Sequence, residues 1–307
     1  MAQPISGVSP LKASHMTRFL LLMFLLLVMS STASAVVIRH DVDDSKYRVP
    51  ASEFPALADM PGEGHGVLIA PQWVITAAHA IPGHSELRHV VINGVSRDVE
   101  RVVMHPGYKT LPQELIDQAM ASGEAMLIVV FLASSDDIAL VKLARPVTDV
   151  APVAIYKDTD EPGQVVKIVG KGATATGATG HDPEGPNRTE LRRAFNKVTS
   201  AYDRWFCHVF DEPPQALPLE GTPGNGDSGG PALIQVGDQW LLAGLTAWKV
   251  VQGDVRTARP GRYGQTSCNL RLSHYTGWIE SVISERPQAG ATSAFKPDLR
   301  GFSQSRR

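Results

Sequence analysis

Three short segments carry residue types that together could make a serine hydroxyl reactive. The sharpest is Gly224-Asn225-Gly226-Asp227-Ser228-Gly229-Gly230-Pro231. A serine hydroxyl is a weak nucleophile until a base takes its proton. The anion that develops on the group it attacks needs backbone N–H donors aimed at one point. Glycines around Ser228 let the backbone turn so that the amides of Gly226 and Ser228 can converge there. Taken alone, the segment can also be a Gly-rich turn without chemistry. The second segment, Trp73-Val74-Ile75-Thr76-Ala77-Ala78-His79-Ala80, places a histidine after an apolar strand. The third, Asp137-Ile138-Ala139-Leu140-Val141-Lys142-Leu143, places an acid just before one. Singly, such a histidine is a satisfied half-buried residue and such an aspartate a turn cap. In the order His79, Asp137, Ser228 they supply base, orienter and nucleophile.

The elements that must hold these residues read as short strands. From Val67 onward, apolar runs such as VLIA, WVITAAH, HVVING, DIALVKL, VVKIVG, PALIQV and WLLAGLTAW alternate with turn signals. Runs of this length, rich in Val and Ile, predict an all-β fold of antiparallel barrels or sandwiches. No βαβ alternation is visible, which argues against a parallel sheet. Leu111 to Ser135 departs from the pattern: it begins with helical spacing and ends in a long apolar run, which predicts an inserted helix followed by a buried strand. Ala173 to Thr189 is rich in Gly, Thr and Pro and predicts a loop.

Composition removes several classes of function. The 307 residues carry a net charge of −2, so no basic field exists for coating nucleic acid. Two cysteines are too few for a disulfide scaffold or a four-thiolate zinc site. The ten histidines are scattered without ligand spacing, so neither a metal nor an organic cofactor is implied. A hydrophobic content of 43% is enough for a folded core. At the amino terminus, Arg18 precedes the apolar run Phe19 to Met29, and Ala33-Ser34-Ala35 fits the small-x-small rule of signal peptidase. The run is too short to span a bilayer. Residues 1–35 are therefore expected to be a signal peptide, with the protein secreted or periplasmic and without stable membrane insertion. Residues 286–307 read as a disordered tail.

These motifs, TAAH with His79, DIAL with Asp137 and GDSGGP with Ser228, resemble those of the chymotrypsin-like (trypsin-fold) serine proteases. The resemblance runs from about Val36 to Glu285. Supporting marks are Val103-Met104-His105-Pro106-Gly107-Tyr108, Trp248, and Arg271-Leu272-Ser273 through Trp278-Ile279. GDSGG also satisfies G-x-S-x-G, the nucleophile elbow of α/β-hydrolases, but that fold needs the order serine, acid, histidine and a helix after the serine. The resemblance implies two packed six-stranded antiparallel β-barrels with a short C-terminal helix: barrel 1 about 36–150, barrel 2 about 151–272, closing helix about 273–285. It implies a serine endopeptidase acting on protein or peptide substrates, with a catalytically silent binding module on the same fold as the alternative. His79, Asp137 and Ser228 would be the triad, and the Gly226 and Ser228 amides the oxyanion hole.

The same resemblance assigns the primary pocket and marks the departures. Thr222 stands at the family's pocket base and is neutral, Trp248 at its wall, and Lys249 and Ser267 where glycines are usual. Cleavage after Arg or Lys is therefore expected to be poor. Gly64, Ala80 and Gly224 replace cysteines, so two usual disulfides are absent. Ala247 replaces a serine whose hydroxyl supports the triad acid. Cys207 and Cys268 fall on neighbouring strands, each without its customary partner; they either pair with each other or remain free thiols. Signal-peptide cleavage after Ala35 would expose Val36, and the family's new terminus pairs with the aspartate before the nucleophile, here Asp227.

Overall fold

The computed structural model describes residues 36–62, 64–81, 87–181, 190–250 and 253–284. The expected signal peptide and the expected tail lie outside the described residues. The short apolar runs form fourteen strands among the described residues. After β1 (Val37–Ile38), the first half supplies β2 (Leu57–Asp59), β3 (His65–Ala70), β4 (Trp73–Ala77), β5 (His89–Ile92), β6 (Val95–Met104) and β7 (Ile138–Leu143). The second supplies β8 (Val165–Gly170), β9 (Arg192–Tyr202), β10 (Trp205–Val209), β11 (Gly221–Thr222), β12 (Pro231–Val236), β13 (Gln239–Val250) and β14 (Thr266–Arg271). Two closed six-stranded barrels result, in the orders β2-β3-β4-β7-β6-β5 and β10-β14-β13-β12-β8-β9. Every pair within them is antiparallel. Closure leaves no strand edge to be satisfied by another chain.

Burial explains the barrel interiors. Val67, Leu68, Val74, Ile75, Leu140 and Val141 on β3, β4 and β7 are completely buried, and Ile168, Phe206 and Ile234 fill the second barrel. Removing such side chains from water is the main term favouring the fold. β1 belongs with the second half rather than the first barrel: Val37 faces Thr222 and Ile38 faces Gly221 on β11. A second tie crosses the molecule nearby, where the fully buried Arg192 meets Asp44 through two bonds of 2.7 and 2.8 Å.

The segment between β6 and β7 differs from expectation. It forms two helices, α1 (Gln113–Ser122) and α2 (Met126–Ala133), so the apolar run MLIVVFLA is a helix and not a buried strand. No residue of α2 is buried. In a barrel already closed, a further strand has no partner for its backbone, whereas a helix satisfies its own N–H and C=O groups. The hairpin leans on the second half: Trp205 Nε1 donates to Ala133 O at 2.9 Å and Val255 N to Gly123 O at 3.0 Å. The chain closes with α3 (Leu272–Ser284), which buries Leu272, Tyr275, Ile279 and Val282.

Candidate active site

Strand register brings the base and its orienter together. β4 and β7 pair so that Ala77 faces Ile138. His79 follows the end of β4 in a 3-10 turn, Ala78–Ala80, and Asp137 immediately precedes β7. Both therefore leave the barrel at one end. The Ala78 amide donates to Asp137 O at 3.0 Å, which locks that end. The Asp137 carboxylate accepts from the His79 backbone N–H at 2.8 Å and faces His79 Nδ1 at 2.6 Å. Asp137 is 6% exposed, while the His79 side chain is 38% exposed. A carboxylate on Nδ1 holds the proton there and leaves Nε2 as the basic nitrogen. Ala247 offers Asp137 no hydroxyl.

Asp136 was not singled out in the sequence, yet it anchors this turn. Its carboxylate accepts from Tyr275 Oη at 2.9 Å and pairs with Arg204 Nη1 at 2.9 Å. The acidic pair Asp136-Asp137 thus splits its work: one carboxylate faces the closing helix and second barrel, the other faces His79.

Ser228 comes from the turn between β11 and β12. Gly229 N–H donates to Thr246 O at 2.8 Å, and Ser228 O accepts from His65 N at 2.7 Å. The turn is thereby pinned to both barrels. Gly229, at φ +72°, packs so closely that a Cβ would lie 2.3 Å from both His65 O and Thr76 Oγ1. Gly226 also has a positive φ, +86°, a conformation that favours glycine. Neither the Gly226 nor the Ser228 amide donates to an acceptor among the described residues. Ser228 Oγ likewise has no hydrogen-bond partner among them. Catalytic hydrogen bonds are commonly long before substrate binds.

Asp227 turns the other way and is 1% exposed. Its oxygens accept from the amides of Gly172 and Gly224, each at 2.7 Å. The wholly buried His65 stands 3.7 Å away. His65 Nε2 accepts from the Lys171 amide at 3.0 Å, and its Nδ1 lies 3.4 Å from Asp59. Sequence reading missed His65 because a histidine in EGHGV carries no motif. Val36 is completely buried with φ +62°.

A cavity of about 220 Å³ opens beside Ser228. Trp248, Lys249 and Ser267 line it, together with Pro260. Thr222 is not on its wall. It is buried, with Oγ1 2.7 Å from Ser267 Oγ, so it acts on the pocket through Ser267. Trp248 stands edge-on to Trp205, ring centres 5.4 Å apart. Two buried histidines, His181 and His208, border this region. Burial, with the Lys249 charge second, pushes His181 down to about 4 and His208 down to about 3. Both are neutral at pH 7.

Behind the pocket, Cys207 and Cys268 face each other across β10 and β14 and form a disulfide. The pairing left open by the sequence is thus present, and no cysteine is free.

Comparison with known proteins agrees with this architecture. Among solved structures, the chain is similar to neuropsin, a serine protease expressed in the limbic system of mouse brain. The TM-score is 0.57 and the identity 19%, over 77% of this chain and 98% of that one. At that identity the likeness shows the fold. The family model "Trypsin" matches residues 45–279, most of the chain. Two closed antiparallel barrels, a closing helix and this match together place the chain in the trypsin family.

Proposed function

We propose that this protein is a secreted serine endopeptidase that works through an acyl-enzyme. The observation that carries the reading is the Asp137–His79 contact of 2.6 Å, with Ser228 beside two amides unclaimed among the described residues. Ser228 Oγ attacks the scissile carbonyl carbon while His79 Nε2 takes its proton. The oxyanion is held by the Gly226 and Ser228 amides. His79 then gives the proton to the leaving amine, and the C–N bond breaks. Water, deprotonated by His79, attacks the acyl carbon and releases Ser228.

The signal peptide expected over 1–35 and the Cys207–Cys268 bridge both suit an oxidising compartment. Removal of residues 1–35 would free Val36, and its ammonium would approach the buried Asp227 carboxylate. The substrate is a protein or peptide. A neutral Thr222 and a cationic Lys249 disfavour Arg or Lys in the primary pocket. The α1–α2 hairpin, inserted between His79 and Asp137 and leaning on the second half, would bound one side of the cleft.

A second reading, a catalytically silent binding module, draws on two observations. Ser228 Oγ is unbonded among the described residues, and Ala247 provides no hydroxyl for Asp137. A fluorophosphonate probe separates the two. Covalent labelling that maps to Ser228 in the protein beginning at Val36 supports the endopeptidase; no labelling supports the silent module.

A further inference from the structure

The primary pocket contains a cation for which the described residues supply no balancing anion. Lys249 lies on β13 directly opposite Ser267 on β14, and both line the cavity beside Ser228. Among the described residues no hydrogen bond or ion pair is made by Lys249 Nζ. Among the described residues the one carboxylate that acts on it is Asp227, and that group accepts from the Gly172 and Gly224 amides. The other titratable neighbours, His181 and His208, are neutral and add no negative charge. Burial pushes the Lys249 ammonium down to about 8, so it remains largely charged at pH 7 in a partly buried position. A charge in that state gains most from an anionic partner that also accepts hydrogen bonds.

Resting on the endopeptidase reading, we propose that the pocket beside Ser228 selects peptide substrates with an acidic side chain, Glu or Asp, at the position preceding the scissile bond. Lys249 Nζ would donate to the carboxylate, and the Ser267 hydroxyl, backed by Thr222 Oγ1, would supply a second contact. Thr222 is a positioning residue here, because it reaches the cavity only through its 2.7 Å bond to Ser267. The cavity of about 220 Å³ admits such a side chain with Lys249 already in place. An arginine entering the same space would meet like charge and find no acid among the described residues of the lining.

The test uses the protein beginning at Val36 and five fluorogenic peptides that differ only in the residue before the scissile bond: Glu, Asp, Gln, Ala or Arg. The expected kcat/KM for Glu exceeds that for its neutral isostere Gln by about tenfold to a hundredfold, the range of a charge-assisted hydrogen bond. Lys249→Met should bring the Glu-to-Gln ratio close to one, and Lys249→Glu should invert the preference towards Arg. A ratio near one in the unaltered protein, or a best substrate with Ala or Arg, overturns the proposal. If no peptide is cleaved and no probe is bound, the endopeptidase reading fails separately. The pocket is then tested by binding to Ser228→Ala of two peptides ending in Glu or Gln. Tighter binding of the Glu peptide by about tenfold supports the acidic pocket, and equal affinity overturns it.

Discussion

His65 Nε2 lies 3.7 Å from the Asp227 carboxylate, inside a pocket where neither residue is more than 1% exposed. The histidine comes from the first barrel and the aspartate from the turn that carries Ser228. The hydrogen bonds that hold the Asp227 carboxylate come from the Gly172 and Gly224 amides. The amino-terminal ammonium proposed for the processed chain would therefore join a carboxylate that already has partners.

That arrangement frames the first prediction. Val36 is β-branched and buried at φ +62°, a conformation costing on the order of 1–3 kcal/mol for such a residue. The torsion is defined by the peptide bond to Ala35, so cutting that bond removes the constraint. Protein beginning at Val36 should hydrolyse peptides at least about tenfold faster than protein with one extra residue, a loss of ~1.4 kcal/mol for the extended form. Matched kcat/KM values for the two forms would show that a free Val36 ammonium is not needed.

The triad makes the second prediction. Ser228→Ala and His79→Ala should each lower kcat by about 10⁴-fold or more, and the double variant should be little worse, because the members act as a unit. Thermal melting of Ser228→Ala should match the unaltered protein, since its hydroxyl bonds to no described residue. Peptidase activity persisting in both purified single variants would remove the assignment.

The disulfide makes the third. Cys207 and Cys268 are 61 residues apart in sequence and directly paired across two strands. Closing a loop of that length stabilises the fold by ~4 kcal/mol in the chain-entropy model. Cys207→Ser/Cys268→Ser should show a lowered denaturation midpoint with the same strand content. Intact mass after alkylation of the native protein should show no added label; two labelled thiols would contradict the bridge.

Asp59 makes the fourth. Burial alone would raise its pKa, but His65 and Lys171, the latter with Nζ at 2.8 Å, outweigh it and hold the carboxylate at about 2. The folded value lies below the ordinary 3.8. Its contribution is therefore full above pH 3.8 and lost as pH falls towards 2, about 2 kcal/mol in all. Asp59→Asn should lower stability at pH 6 by an amount of that order and flatten the dependence on pH below 4. An acid-unfolding curve of unchanged slope in the variant would assign the acid sensitivity elsewhere.

What could be read without the fold was local. His79, Asp137 and Ser228 stand in short words whose neighbours dictate their own conformation: an apolar strand before the histidine, another after the aspartate, glycines around the serine. The run of Val- and Ile-rich segments determined that the chain is built of antiparallel strands. Other features depended on which segments meet, and a one-dimensional pattern does not encode that. MLIVVFLA has the composition of a buried strand, yet it is the helix α2, because the closed barrel offers its backbone no partner edge. Cys207 and Cys268 could pair or stay free until β10 and β14 were brought into register. Thr222 sits at the expected sequence position but behind Ser267, since the β11 turn carries it beneath the pocket wall. His65 carries no motif at all. Its place beside Asp59 comes from the β2–β3 pairing, and its place beside Asp227 exists only because the two barrels pack against each other.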